Sequence, residues 1–178
     1  MEKSSKFVSF SGFTAILAGV YALVGAYVVT QVPEWISSLE DMIVVALLVL
    51  GASALTAVIL SYYKSKKIRQ RFFSKLTYRA FWNFSLPMFA GGMLCISILC
   101  HGYYGILSSV MLLFYGLALV NVSKYTYSSL AWLGYAFICL GIIDSFFEGH
   151  ALLFWVIGFG GFHILYGILF YICYEKKR

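Results

Sequence analysis

The chain has 178 residues, of which 62% are hydrophobic and 11% are charged, and its formal net charge is +6. Soluble domains carry about 25% charged residues. The composition therefore excludes an ordinary water-soluble globular protein, which would expose more apolar surface than it could cover, and it points to a lipid bilayer as the natural solvent.

Six segments are apolar and long enough to cross a bilayer as α-helices, which takes about 20 residues each. Transmembrane β-strands are about 10 residues long with alternating polarity, and the continuous apolar runs do not fit that pattern. We therefore predict an all-α protein: one polytopic helix-bundle domain over residues 1–178, with six transmembrane helices arranged as three hairpins. In chain order the spans are approximately Phe7–Thr30, Asp41–Tyr63, Arg79–Cys100, Tyr103–Ser123, Ser128–Phe147 and Ala151–Tyr174.

The distribution of charge predicts the orientation. If the chain crosses six times, all 13 Lys and Arg residues fall on one side, and the other side receives acidic residues without any Lys or Arg. Cations in short loops mark the cytoplasmic side, so both termini are expected in the cytoplasm of a bacterial cell, with the protein in the inner membrane. The basic cytoplasmic loop, residues 64–79, contains Lys64, Lys66, Lys67, Arg69, Arg71, Lys75 and Arg79.

This basic loop is expected to contact lipid headgroups. The net positive charge could indicate nucleic-acid binding, but cations beside a membrane are sufficiently explained by attraction to anionic lipids. In KSKKIRQRFFSKLTYR the apolar and cationic residues fall on different helical faces. The stretch therefore predicts either an interfacial amphipathic helix or a continuation of the second span into the headgroups. The expected partners are membrane lipids, including anionic headgroups, and not nucleic acid; self-association into an oligomer is left open.

Small residues form stripes along several spans. In the first span Ser11, Ala15, Gly19, Ala22 and Ala26 recur at intervals of three and four, and such stripes allow the backbones of neighbouring helices to approach closely. Glycines at 158, 160, 161 and 167 predict the same for the sixth span. Close helix packing is the first interpretation, and a hinge or pore lining is the alternative.

His163 and Tyr166 form a candidate intramembrane polar site. His163 lies about 18 Å into the sixth span at 1.5 Å per residue, near the bilayer midplane, on a face shared with Gly160 and Gly167. An imidazole there could fix helix register by hydrogen bonding, or it could act in a proton relay, ligand contact or pore constriction. The sequence places no Asp or Glu at the same depth, which disfavours a proton pump.

A second candidate site is an outer-face cluster of His101, Asp144, Glu148 and His150. Imidazoles and carboxylates together could bind a divalent cation, or they could sense acid, because histidine changes charge near neutral pH. A solvated acidic face is the simpler interpretation. His101 and His150 flank two short turns built on Gly102 and Gly149.

The glycine-punctuated hairpin LGIIDSFFEGHALLFWVIGFGGFHILYGI resembles the small six-span bacterial membrane proteins of the HdeD type, which are linked to acid resistance. The stretch YGLALVNVSKYT, with that hairpin, is similar to uncharacterised membrane proteins of Bacteroidota. The resemblance covers mainly the C-terminal third and implies a six-span fold. It assigns no role to any residue.

The sequence does not favour an enzyme. Ser11 and His163 could be compared with an intramembrane serine protease dyad, but they lie at different depths, and neither a phosphate-binding loop nor a haem-ligand pair is present. No catalytic residue, metal or cofactor is therefore predicted. The expected role is non-enzymatic, as a stress, sensing or accessory component; the alternative is a small oligomeric channel or transporter with a path past His163.

Overall fold

The structure is a computed structural model that describes residues 11–31, 38–67, 74–147 and 149–176. Every regular element in these ranges is helical, which confirms the predicted all-α class. The helices are α1 (Gly12–Gln31), α2 (Leu39–Lys67), α3 (Lys75–Cys100), α4 (Leu107–Ser123), α5 (Leu130–Asp144) and α6 (Ala151–Glu175).

Five of these helices are long and apolar enough to cross a membrane: α1, α2, α3, α4 with the turn before it, and α6. The helix α5 is also apolar but has only 15 residues, about 22 Å at 1.5 Å per residue. Hydrogen-bonded turns extend it at both ends: Leu130 N–H donates to Tyr127 O, and Phe147 N–H donates to Asp144 O. These turns cover the predicted span over residues 128–147.

The helices group into two compact units. Unit one contains α3, α4, α5 and the start of α6 up to Gly158. Its helices α4 and α5 are in backbone contact, because a methyl group at Gly116 or at Gly134 would lie 2.7 Å from the other's carbonyl oxygen. Leu112 and Phe137, both fully buried, form the centre of this unit.

Unit two contains α1, α2 and the part of α6 from Phe159 onward. Its helices α1 and α6 run antiparallel: Gly12 lies against Gly167, and Gly19 lies against Gly160 and Ile164. Gly19, Ala22 and Ala26 are buried, so the small-residue stripe predicted for the first span is a packing surface. Tyr21 Oη and Thr56 Oγ1, 3.3 Å apart, join α1 to α2.

The predicted packing of other glycines is partly wrong. Of the glycines predicted to pack in the sixth span, Gly158 packs on Leu112, but Gly161 has open space where a side chain would be. In α3, Gly91 packs on Phe114, whereas Gly92 faces open space. Glycine spacing alone identifies a face of small residues. It does not tell which of them a neighbouring helix covers.

The two turns built on glycine are present as predicted. Gly102 follows α3 with φ = 75°, and Gly149 precedes α6 with φ = 82°. Residues with a Cβ rarely adopt this left-handed conformation, so glycine is required at both turns. Each turn reverses the chain beside a histidine, His101 in one and His150 in the other.

The helix α6 is irregular where the sequence is richest in glycine. It is α-helical over Ala151–Trp155, π-helical over Val156–Phe162, α-helical over His163–Phe170 and π-helical again over Tyr171–Glu175. Wide turns of this kind occur often at functional sites. His163 is the first residue after the wide turns of GFGGF.

Candidate functional site

Asp144 is the most deeply buried carboxyl group among the described residues, with 2% of its surface exposed. The hydroxyl groups of Ser108 and Ser109 both donate hydrogen bonds to its Oδ2 atom, and the Ser109 bond is 2.9 Å long. A buried carboxylate without polar partners would be strongly unfavourable. The two hydroxyls therefore make the burial of Asp144 tolerable.

The packing of α4 against α5 creates this cluster. Asp144 is the last residue of α5, and Ser108 and Ser109 are in the first turn of α4. A methyl group at Gly141 would lie 3.0 Å from the carbonyl oxygen of Ser109, so the two backbones are close beside the Asp144 carboxyl group. The positive end of the α4 dipole also faces the carboxyl group, whereas the negative end of α5 opposes a charge there.

The peptide oxygens near the end of α5 already accept hydrogen bonds. Ser145 N–H donates to Gly141 O, the Ser145 hydroxyl donates to Ile142 O at 2.6 Å, and Phe146 N–H donates to Ile143 O. Calcium takes six to eight oxygen ligands and magnesium six. Within the described ranges, no group of three or more His, Cys, Asp and Glu residues is arranged to hold a metal ion.

The described members of the predicted outer-face cluster differ in exposure. Asp144 is buried, whereas His101 and His150 are exposed, and Glu148 lies outside the described residues. His101 Nδ1 lies 2.8 Å from Ser97 O, and its ring stacks on Tyr103 at a centroid distance of 6.3 Å. The interpretation of Asp144 as part of a solvated acidic face is therefore wrong, because its side chain points into the α4–α5 contact.

His163 lies inside unit two, as expected from its shared face with Gly160 and Gly167. It is 6% exposed, and its ring stacks on Phe159 at a centroid distance of 6.2 Å. Tyr166 is half-buried one turn further along, and its ring contacts Phe170. The two residues of this candidate site are thus on the protein side of α6 and not on a fully exposed face.

The predicted headgroup contacts divide into three groups. Lys66, Lys67, Lys75 and Arg79 are exposed, and the Lys66 ammonium lies 4.6 Å from the centroid of the Tyr62 ring. Arg69 and Arg71 lie outside the described residues. Lys64 differs, because it is half-buried and forms an ion pair with Glu175 at the end of α6.

The path of the basic loop is also partly defined. The helix α2 continues to Lys67, four residues beyond the predicted end of the second span, so the alternative of a continued second span is correct for residues 64–67. The helix α3 begins at Lys75, where the Ser74 hydroxyl caps it by accepting from Thr77 N–H at 3.1 Å. Residues 68–73, the middle of the proposed amphipathic helix, lie outside the described residues.

Sequence reasoning missed Ser108, Ser109 and Glu175. The serines could have been found by asking which residues an antiparallel α4–α5 hairpin places opposite Asp144. Glu175 could have been found because it is an acidic residue at the predicted cytoplasmic end of the sixth span, where the other charged residues are cations. Both inferences require knowing which helices pair, in addition to the depth of each residue in the membrane. Hydropathy indicates only the depth.

Comparisons of the chain with protein-family models, with curated proteins and with solved structures find no match.

Proposed function

We propose that this chain is an integral protein of the bacterial inner membrane with six spans and both termini in the cytoplasm. It acts without enzymatic chemistry, as a sensing or accessory component, and Asp144 is its responsive group. The observation that carries the proposal is the buried Asp144 carboxyl, held by two hydroxyls at the junction of α4 and α5.

The surfaces of the helices support a membrane location. No residue in the most apolar stretch of α2 is buried, and large side chains such as Leu48 on α2 and Phe89 on α3 are exposed. Such continuous apolar surface is unfavourable in water and favourable in hydrocarbon. Six crossings would put all 13 cations on one side, and that distribution supports cytoplasmic termini.

The two forms of the Asp144 carboxyl group differ in the hydrogen bonds that they can make. As a carboxylate it accepts from both serines; as a carboxylic acid it carries a proton that itself needs an acceptor, so the hydroxyls must reorient. The elements around it add no charged group within the described ranges: the first two turns of α4 and the α6 segment Ala151–Gly158 contain no Asp, Glu, Lys, Arg or His. In the sequence, Glu148 and His150 lie between α5 and α6, and His101 lies between α3 and α4.

The test of sensing compares Asp144→Asn with His101→Gln/His150→Gln. Asparagine keeps the size of the side chain and its ability to accept a hydrogen bond, but it does not titrate. We expect the fluorescence of a probe on the α4–α5 turn, in purified protein in liposomes, to depend on external pH in the wild type and in the double histidine variant, but not in Asp144→Asn. A response lost in the histidine variant and retained in Asp144→Asn would contradict the assignment.

The topology is tested separately, by attaching alkaline phosphatase or a fluorescent protein after each predicted span. Alkaline phosphatase is expected to be active, and therefore periplasmic, only when it is fused after the first, third or fifth span. If a fluorescent protein fused after residue 147 is fluorescent and alkaline phosphatase fused there is inactive, that site is cytoplasmic and α5 does not cross the membrane.

A second candidate function is a small channel or transporter with a path past His163. The π-helical segment Val156–Phe162, directly before the buried His163, favours it, because such wide turns interrupt regular helix hydrogen bonding. Flux of protons or small ions in proteoliposomes should be abolished by His163→Ala. Unchanged flux in that variant would contradict the candidate.

A further inference from the structure

One face of α3 is exposed along about four turns of the helix. An α-helix advances by about 100° per residue, and at that angle the residues of this face fall within a stripe about 100° wide. They are the exposed residues Lys75, Tyr78, Arg79, Trp82, Leu86 and Phe89, which we call the α3 stripe. The opposite face of α3 packs inside unit one, where Ala80 and Ile98 are buried and Gly91 lies against Phe114.

The α3 stripe begins with two cations, Lys75 and Arg79, four residues apart. Like charges at this spacing on a helix repel each other. The helix α3 itself has no acidic residue. Among the described residues of unit one the only acidic one is Asp144, at the end of the unit where α3 finishes and α4 begins. The described part of unit one therefore supplies no acidic partner at the start of α3.

The two aromatic residues of the stripe follow directly. The rings of Tyr78 and Trp82 form an edge-to-face pair with centroids 6.2 Å apart and an interplanar angle of 65°, and both side chains are exposed. Tyrosine and tryptophan favour the headgroup level of a bilayer, because each combines an apolar ring with a group that can hydrogen-bond. The pair therefore indicates that the boundary between headgroups and hydrocarbon lies close to Trp82.

The stripe continues with large apolar side chains. Leu86 is 67% exposed and Phe89 is 70% exposed. Arg79 and Phe89 are ten residues apart, about 15 Å at 1.5 Å per residue. Half of a hydrocarbon core about 30 Å thick is the same distance. Cations, amphipathic rings and apolar side chains thus follow one another in the order, and over the length, of one phospholipid molecule in one leaflet.

We propose that the α3 stripe binds one phospholipid with an anionic headgroup. The phosphate group lies between Lys75 and Arg79, whose guanidinium group can donate two hydrogen bonds to phosphate oxygens. The Tyr78–Trp82 pair contacts the glycerol region, and an acyl chain lies along Leu86 and Phe89. Binding from a bilayer rests on the membrane location proposed above, and in the proposed topology the leaflet is the cytoplasmic one.

Lys124 provides a control for charge at the same depth. The rings of Phe84 and Tyr115 are 6.2 Å apart and set the register of α3 against α4. Nine residues from each member, in opposite chain directions, lead to Lys75 and Lys124, so the two cations lie at a similar depth. Nine residues are two and a half helical turns, so Lys124 is on the side of α4 that faces away from α3, and it is exposed.

The test measures which lipid is in contact with Trp82. The other three of the four tryptophans are replaced by phenylalanine, and the full-length protein is placed in phosphatidylcholine liposomes. A small share of the lipid in both leaflets carries brominated acyl chains, which quench tryptophan fluorescence on contact, and has either a phosphatidylglycerol or a phosphatidylcholine headgroup. We expect the anionic lipid to be preferred around Trp82 by about fivefold or more, the factor that attraction of one cation to an anionic membrane surface provides.

The variants separate the stripe from general charge attraction. Lys75→Gln/Arg79→Gln should remove the preference and, because both residues are exposed, should leave the thermal unfolding temperature unchanged. Lys124→Gln should keep the preference. Lys75→Arg/Arg79→Lys keeps both charges and should keep it too. A preference lost equally in Lys124→Gln, or one that persists in Lys75→Gln/Arg79→Gln, would overturn the proposal.

The remaining outcomes separate the lipid site from the membrane location. Equal quenching by both brominated lipids in the parent protein would overturn the site and leave the membrane location standing. Quenching by neither lipid would contradict the membrane location, and the site with it. Soluble glycerophosphate carries the phosphate without acyl chains, so relief of quenching by this compound would show recognition of phosphate alone and would overturn binding along the stripe.

Discussion

Gly116 and Gly134 are in reciprocal contact: a methyl group on either one would lie 2.7 Å from the carbonyl oxygen of the other. We expect Gly116→Ala and Gly134→Ala each to destabilise the protein by about 1–3 kcal/mol, the usual cost of overpacking, since the obstructing atoms belong to the backbone and cannot rotate away. Denaturant unfolding in detergent micelles measures this effect.

The matched control is Gly92→Ala in α3, where nothing lies within 4 Å of the added carbon. It should be neutral or slightly stabilising, because alanine favours a helix over glycine by about 0.5–1 kcal/mol. If Gly92→Ala lowered the free energy of unfolding as much as Gly116→Ala, the loss of a glycine, and not the α4–α5 contact, would be the cause of the destabilisation.

The cluster at Asp144 predicts an energetic coupling. Asp144→Ala should cost about 1–3 kcal/mol by leaving two buried hydroxyls without their acceptor, and Ser109→Ala should cost less because Ser108 remains a donor to Oδ2. A double-mutant cycle is the measurement. Strictly additive effects of Asp144→Ala and Ser109→Ala would contradict the hydrogen bond between them.

The ion pair of Lys64 with Glu175 predicts rescue by charge exchange. Lys64→Glu should lower the thermal unfolding temperature, because two acidic side chains then face each other, and Lys64→Glu/Glu175→Lys should restore part of it. Lys67→Glu is the control, since the same charge is changed on an exposed residue of the same helix end. If Lys67→Glu is as harmful as Lys64→Glu, the loss of positive charge beside the membrane is the cause and not the broken pair.

The positive φ angles of the turn glycines Gly102 and Gly149 predict that any residue with a Cβ atom there lowers the stability. Gly102→Ala and Gly149→Ala should each destabilise by about 1–2 kcal/mol, the penalty for a Cβ in the left-handed region. Asparagine tolerates that region better, so Gly102→Asn should be milder than Gly102→Ala. Gly105→Ala, at a glycine with neither positive φ nor a neighbour within 4 Å, should leave the unfolding temperature unchanged.

Much of the fold could be predicted from the sequence, because hydropathy reports depth. The third span was predicted to end at Cys100 and the fourth at Ser123, and α3 and α4 end at those residues. The second span was predicted to end at Tyr63, but α2 ends at Lys67. Lysine is a good helix former, so Lys64 marks the end of the apolar stretch but not the end of the helix.

The site was harder to predict, because depth does not say which way a side chain points. Asp144 was placed at the correct end of its span but on the wrong side, since only the α4–α5 pairing shows that it faces Ser109. The wide turns before His163 were also missed. Glycines permit them, but the sequence contains no signal that distinguishes a π-helical turn from an ordinary one.

The close contacts in each unit recur every seven residues: Gly12 and Gly19 meet Gly167 and Gly160 in one, and Ser109 and Gly116 meet Gly141 and Gly134 in the other. An ideal helix advances by about 100° per residue, so one residue inserted between two contact positions would rotate the next glycine off the seam and bring a bulky side chain onto it. Insertions or deletions of one or two residues inside α1, α4, α5 or the second half of α6 should therefore disrupt the seam, whereas a change of seven residues rotates it by only about 20°. The lengths of these helices are constrained by their partners as well as by the thickness of the membrane.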